Sequence, residues 1–508
     1  MLANRKRPGG SPDSGQYSDS NSEDDDGWVK EVSSKDIAVA DVIHKDLRFP
    51  WPLPLLLSNR WFQRLRKIKT VGVAQKVFRD AKDDLFCLSM GRYHITNEFL
   101  GHILSVYPNR ISNQERFCVG LAALCLDLGA APDEYLRWKE GTDFDVREQS
   151  LKIFEAKILR DFSIRDALKN TYMYNTVDTQ KEDFERYVSL VKALISGAPA
   201  LTVVEAEKAF LFDIVQNPKS LFDLDTVERL LRTSRFCRTP IDLDSAMFKK
   251  LINVGGSPKL FVEEDGPHEG LTRFSIRKES SYLESFLENA IHKINKTITY
   301  HKTVVAIREM CIEALEHASD CPLVPGFDVS LGDIHHDLEA FYYLNDSVYE
   351  LISECDSPSA RLKHAKGLIS RIERDLWKQA INEAIPSNRV LSTEMATETV
   401  IRLSGYALDK EDFHIASYNI MPKNRAETLR LYYKDSMVPP STISTRNNHF
   451  YNIYCKRQDR KKKELIVQAF KEFEMENLNS PEKPVARPSR GVPEGSKAKR
   501  NLMKEEDF

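Results

Sequence analysis

Helical periodicity governs this chain from about residue 35 to residue 395. Within residues 60–77, Trp61, Leu65 and Ile68 fall at i, i+4 and i+7, which is one face of a helix. Residues 116–128 are apolar almost throughout and predict a helix buried on every side. Residues 145–161, 181–196, 333–355 and 359–384 each carry a single apolar stripe. Residues 283–318 predict one long helix or two joined ones. Pro108-Asn109, Gly197-Ala198-Pro199, Gly255-Gly256-Ser257-Pro258 and residues 322–326 break the pattern between these segments. Period-two runs are few. Residues 259–263 and 271–276 flank the turn-rich Glu264-Asp265-Gly266-Pro267 and predict a hairpin. Residues 413–421 and 428–434 form a second candidate pair. A last helix is expected from Lys461 to before Asn477. The expected fold class is therefore mainly α, with a small α+β C-terminal lobe.

Composition narrows the function classes. Hydrophobic residues make up 41% and charged residues 29%, as in a soluble globular protein. The net charge of −3 means that nucleic acid would need a local patch. Residues 456–463 offer one: Lys456, Arg457, Arg460, Lys461, Lys462 and Lys463, with Tyr451 and Tyr454 nearby as candidate stacking partners. No apolar run approaches the ~20 residues that span a bilayer, so no membrane contact is expected. The eight cysteines are scattered without a CxxC, which suits reduced thiols of an intracellular protein rather than a disulfide frame or a cysteine zinc site. Residues 1–34 and the end beyond Ser480 have the composition of disordered tails. Arg5-Lys6-Arg7-Pro8 favours the nucleus over the cytoplasm. The serine-to-acid run 18–26 suits an acidophilic kinase, or is a plain solvated tail.

One stretch poses a chemical question. Phe117-Cys118-Val119-Gly120-Leu121-Ala122-Ala123-Leu124-Cys125-Leu126-Asp127-Leu128-Gly129 is a buried helix running into an acid and then a glycine. An acid there can hold a metal, or it can hydrogen-bond locally at a helix end.

Several segments in order resemble the metazoan SAM-and-HD-domain dNTP triphosphohydrolases of the HD-domain superfamily. Residues 61–69 look like that family's FQRLRxIKQLG helix, and residues 121–129 like its AGLCHDLGHGPFSH motif. Residues 211–233 look like its xxEIVxNxxNGIDVDKWDYFxRD segment. Tyr300-His301-Lys302 looks like its AYQHK helix, residues 338–346 like its MEAYxxLTD, and residues 454–461 like its VYCKKxDRK. The matches extend from about residue 38 to residue 475. The resemblance implies an HD-domain helical fold. It implies a degenerate HD domain over 35–255, a helical regulatory or oligomerisation region with a β-hairpin over 256–395, the α+β lobe over 396–478, and tails at 1–34 and 479–508. Residues 1–34 are too short and polar to supply a sterile-alpha-motif domain.

The family holds its metal with His, His-Asp and a distant Asp, ligands that fix a divalent ion against a triphosphate. Carried over position by position, these fall on Leu88, Leu126, Asp127 and Thr233. The family's further histidines fall on Ala130, Tyr135 and Arg147. Leucine has no lone pair, so three of four ligands are missing and no resident metal or other cofactor is expected. A divalent metal would need a rearranged site using Asp127, His94, Asp83-Asp84 or Glu148, residues equally readable as surface or capping groups. Gln63, Arg66, His301 and Lys302 match positions that bind guanine nucleotides in the family, while other members of those pockets fall on Ser58, Ile37, Lys296, Thr297 and Thr299. Phosphate-gripping positions fall near Pro439 and Thr445. The expected function is a binding, regulatory or scaffold protein on a degenerate dNTP triphosphohydrolase-like fold, in a homo-oligomer or in a hetero-oligomer with a paralogue or other protein. Guanine nucleotide or dNTP is the expected small ligand. The alternatives are a residual or altered nucleotide phosphohydrolase and a nucleic-acid-binding module.

Overall fold

In a computed structural model of the full chain, the structure describes residues 35–171, 180–197, 205–215, 217, 222–244, 259–262, 270–277, 282–381, 383–387, 389–421, 431–433, 436–437 and 449–478. The tail motifs, Pro439 and Thr445 lie outside these residues. The fold is mainly α, as the periodicity predicts. The chain forms two compact units. One runs to Val304, resumes over Cys311–Ile369 and takes in Asn424–Ile443. The other comprises Val305–Met310, Ser370–Lys423 and the chain from Ser444 onward.

The first unit opens with an antiparallel hairpin, β1 (Ile37–Asp41) and β2 (Lys45–Phe49), paired from Ile37↔Phe49 to Asp41↔Lys45. Its turn is closed by the Asp41 carboxylate, which accepts from the amides of Ile43 and His44. Short helices follow: α1 (Leu53–Ser58) and α2 (Arg60–Arg64), the latter capped by Asn59, whose side chain accepts from the Trp61 amide. The long helix α3 (Leu85–Val106) starts at Asp84, whose carboxylate accepts from the Cys87 amide. Helix α4 (Asn113–Cys125) starts with a capping box between Ser112 and Glu115 and is buried from Phe117 to Cys125. Then come α5 (Asp133–Trp138), α6 (Val146–Ile153), α7 (Phe162–Thr171), α8 (Gln180–Ser196), α9 (Phe210–Val215) and α10 (Leu224–Phe236). Helix α10 presents Leu224, Val227, Leu230 and Leu231 to the core, an i, i+3, i+6, i+7 stripe.

The expected hairpin forms: β3 (Lys259–Val262) pairs antiparallel with β4 (Thr272–Arg277). The span 283–318 resolves into two helices, α11 (Tyr282–Ile294) and α12 (Lys302–His317), joined by a π-turn at Asn295–Thr299. The second expected strand pair does not form. β5 (Phe413–Asn419) pairs with β6 (His449–Cys455) across seven residues, and Leu431 and Tyr432 instead pair parallel with β4. In the second unit, Val400, Phe413, Ile415, Tyr451, Ile453, Phe470 and Phe473 close the core of this small α+β lobe. No helix among the described residues is long and apolar enough to cross a membrane.

Candidate functional site

Helices α3 and α10 and the C-terminal end of α4 meet around Asp127. Leu88 and Arg92 lie one turn apart on α3, so they share a face. Leu88 is fully buried, and Leu126 is 7% exposed at the end of α4. Thr233 lies one turn beyond Arg229 on α10 and is half-buried. The helices that carry the expected ligand positions therefore do come together, with Asp127 buried at their meeting point.

What surrounds Asp127 is cationic. Arg92 Nη2 lies 2.8 Å from its Oδ2, and Arg229 Nη2 donates to its Oδ1 at 3.0 Å. Both guanidiniums also engage Asp225, Arg229 through Nε at 2.8 Å and Arg92 through Nη1. Two arginines and two carboxylates thus alternate in a closed square. Arg92 has no exposed side-chain surface, and its Nε donates to the Ala123 carbonyl at 2.7 Å. That carbonyl is in the last turn of α4, where the backbone has no helical partner, so Arg92 also caps the helix. Burial alone would raise the Asp225 pKa, but Arg229 and Arg92 outweigh it and pull the carboxyl down to about 2. Burial would likewise lower the Arg229 pKa, but the carboxylates of Asp225 and Asp127 overcome it and raise it.

A second ionic cluster extends the first along α10. Arg232 reaches Glu228 at 2.5 Å, Asp41 at 2.8 Å and Asp83 at 3.2 Å. Glu228 also holds His44 Nε2 at 2.7 Å, with no exposed side-chain surface on either residue. Close helix approach makes this possible. A Cβ on Gly91 of α3 would fall 1.8 Å from Glu228 Oε1 and 2.6 Å from Arg232 Nη2. Gly129 is equally constrained, since a Cβ there would meet the Ser150 amide nitrogen at 2.4 Å. Ser150 Oγ donates to the Leu126 carbonyl and accepts from the Gly129 amide, tying the end of α4 to α6.

Asp127 therefore does not act as a local helix-end acceptor through its side chain; its carboxylate makes long-range ion pairs. The residues considered for a rearranged site are spread apart in role. His94 sits 3.3 Å from Glu98, its ring 5.0 Å from that of His44. Asp83 belongs to the Arg232 cluster, Asp84 caps α3, and Glu148 is exposed in the first turn of α6. Ala130 is buried and gives its carbonyl to the buried guanidinium of Arg64; Tyr135 is buried with its hydroxyl 3.2 Å from His335 Nδ1. Arg147 Nη1 donates to the Ser196 carbonyl.

The donor set at the junction does not suit a metal. Leu88 and Leu126 have no donor atom, and Thr233 supplies at most a neutral hydroxyl. Of the four mapped positions only Asp127 offers a carboxylate, and it is paired with two guanidiniums. Among the described residues, groups of three or more His, Cys, Asp or Glu with donor atoms within 4.8 Å of one another occur elsewhere, and neither includes Asp127. The residues at this junction thus do not fit the divalent ion that the resemblance implies.

The nucleotide-binding candidates lie on two separate helical segments. Gln63 Nε2 donates to the Leu57 carbonyl, its Oε1 accepts from Arg66 Nε at 2.9 Å, and the Arg66 guanidinium lies 3.7 Å above the Phe86 ring. His301 caps α12 by accepting from the Thr303 amide, and Lys302 is the exposed first residue of that helix. In the second unit, the basic stretch starts a helix at Arg460, capped by Asp459. Lys462 pairs with Asp412, Arg460 with Glu464, and Lys456 lies over Trp377 at 5.0 Å. Tyr451 and Tyr454 are 0% and 1% exposed, so neither presents a ring face on which a base could stack.

No protein-family model matches the chain. Curated proteins do match along most of it. Deoxynucleoside triphosphate triphosphohydrolase SAMHD1 of Bos taurus is 24% identical over 487 residues, covering 83% of this chain and 75% of that protein. The Homo sapiens protein of the same name is 24% identical over 467 residues, covering 83% and 71%. The chain is homologous to the deoxynucleoside triphosphate triphosphohydrolases. An HD domain-containing protein of Acanthamoeba polyphaga mimivirus is 22% identical over 61% of the chain and 62% of its own length. Against the triphosphohydrolase motif, the residues that sequence reasoning passed over are Arg92, Asp225 and Arg229. Part of their signal was present as the i, i+4 spacing of Asp225 and Arg229.

Proposed function

We propose that this protein is a catalytically silent relative of the dNTP triphosphohydrolases that works as a binding, regulatory or scaffold protein. The observation that carries this reading is the occupation of Asp127 by Arg92 and Arg229. Two fixed guanidiniums supply the positive charge that a divalent ion would bring to that carboxylate. They offer no open coordination position for water or a phosphoryl oxygen, which metal-assisted hydrolysis requires. A homo-oligomer, or an assembly with a paralogue or another protein, is the working form in this reading. Gln63, Arg66, His301 and Lys302 are the groups through which a guanine nucleotide or dNTP would bind, using charge-assisted contacts to phosphate. Arg5-Lys6-Arg7-Pro8 supports action in the nucleus.

The test is hydrolysis of the four dNTPs by the full chain with Mg2+, Mn2+ or Fe2+, followed by release of triphosphate. No turnover above the protein-free rate is expected. Metal-dependent turnover that disappears in Asp127→Asn would contradict the reading and support a rearranged phosphohydrolase. For the nucleotide sites, equilibrium dialysis with labelled dGTP should show binding that weakens at least tenfold in Arg66→Ala/Lys302→Ala; equal uptake by both proteins would remove that part.

A further inference from the structure

We infer that Asp143, His335 and His336 form a binding site for a divalent transition metal of the zinc class, separate from the junction around Asp127. Asp143 Oδ1 lies 3.4 Å from His335 Nε2, and its Oδ2 lies 3.1 Å from His336 Nε2. All three donor atoms fall within 4.8 Å of one another. Bonds of 2.0–2.2 Å from a tetrahedral ion to nitrogen and oxygen place ligand atoms roughly 3.3 Å apart. The 3.1 and 3.4 Å separations here lie close to that spacing.

His335 supplies the second observation. It is 3% exposed, and its Nε2 faces the Asp143 carboxylate at 3.4 Å without a well-formed hydrogen bond. The rest of the residue is held in place. Its Nδ1 faces the Tyr135 hydroxyl at 3.2 Å, and Gln149 Nε2 donates to its carbonyl at 2.9 Å. A proton on Nδ1, donated to the Tyr135 oxygen, leaves the Nε2 lone pair free for a metal, the arrangement by which an outer partner orients a ligating histidine. The loop bearing Asp143 is fixed by its neighbour Phe144, whose ring packs 5.3 Å from His335 and 5.7 Å from Tyr135. Both histidines border a depression of about 350 Å3 that Lys152, Glu155 and Arg160 also line. A metal held by three protein atoms would keep a position open towards this hollow, where water completes the shell.

The test is calorimetric titration of chelator-treated full-length protein with Zn2+, repeated with Co2+ to read ligand-field absorption. The inference predicts one ion per chain, a Co2+ spectrum of low-coordinate N/O type, and at least tenfold weaker binding in Asp143→Asn/His336→Gln. Asp143 and His336 are largely exposed, so this variant keeps its fold, as the melting curve will show. The second cluster, Glu313, His317 and His364, serves as the internal control. Uptake that is absent, that survives Asp143→Asn/His336→Gln, or that is lost instead in Glu313→Gln/His364→Ala overturns the inference.

Discussion

At the residue scale, the chemistry turns on what a buried carboxylate faces. Asp127 faces two arginines, and each arginine has a second acid. Breaking such a network at one point strands a charge that burial has already stripped of water. Arg92→Met should therefore cost about 3 kcal/mol of folding free energy, since it removes the α4 cap and leaves Asp127 and Asp225 to a single half-exposed guanidinium. Chemical denaturation measures this, and an unchanged midpoint would show that the pairs contribute nothing. Asp83 gives a pH signature. Burial pushes its pKa from 3.8 up to about 7, against the pull of Arg232. Its folded value lies above its unfolded one, so the folded state holds the proton more tightly. Stability from this group is full below about pH 4, falls as pH rises to about 7, and is level above that. Asp225 acts in a different window: its folded value is depressed to about 2, so its stabilisation is present above pH 4 and is lost in acid. Asp83→Asn should thus gain stability relative to the parent steadily between pH 4 and 7, with parallel curves above. Thermal melts across that range check it; parallel curves throughout would contradict it.

At the element scale, the long helix α3 and α10 pack as closely as they do because Gly91 has no Cβ. Glu228 and Arg232 opposite it are buried and multiply paired, so neither can swing away. Gly91→Ala should cost about 2 kcal/mol by forcing the two helices apart, readable as a lower melting temperature; an unchanged melt would mean that the helices slide freely. The helices themselves were legible because their apolar stripes repeat at 3.6 residues. β1 and β2 were not: Ile37–Asp41 is mostly exposed, so it carries no alternating pattern, and the hairpin is held by its turn and by Asp41 reaching Arg232. The same limit explains the misassigned partner of β5. Its true partner, β6, lies some thirty residues further on, and pairing over that distance leaves no local trace.

At the scale of the whole molecule, order of motifs carried more than any one of them. The weak resemblances from residue 38 to residue 475 pointed to the fold that curated triphosphohydrolases match over 83% of the chain. The position-by-position resemblance sets Leu88 and Leu126 where the family has ligand histidines, and the proposed loss of the metal site rests on that reading. The square of Arg92, Asp127, Asp225 and Arg229 was not legible in sequence, since it joins three separate helical elements and only folding brings them together. An oligomeric working form predicts a sedimentation mass that is a multiple of the 58.3 kDa chain; a monomer at every concentration would remove the assembly proposal. Asp127 is an ion-pair member in this structure, and we propose that this structural role stands in place of metal ligation. The two roles predict opposite signs, because a carboxylate retained for catalysis is ordinarily held at a cost to folding, whereas one that neutralises buried arginines supports it. The decisive measurement is the urea unfolding free energy of Asp127→Asn against the parent in metal-free buffer. A loss of about 3 kcal/mol is predicted, and an equal or higher stability in the variant would contradict the account.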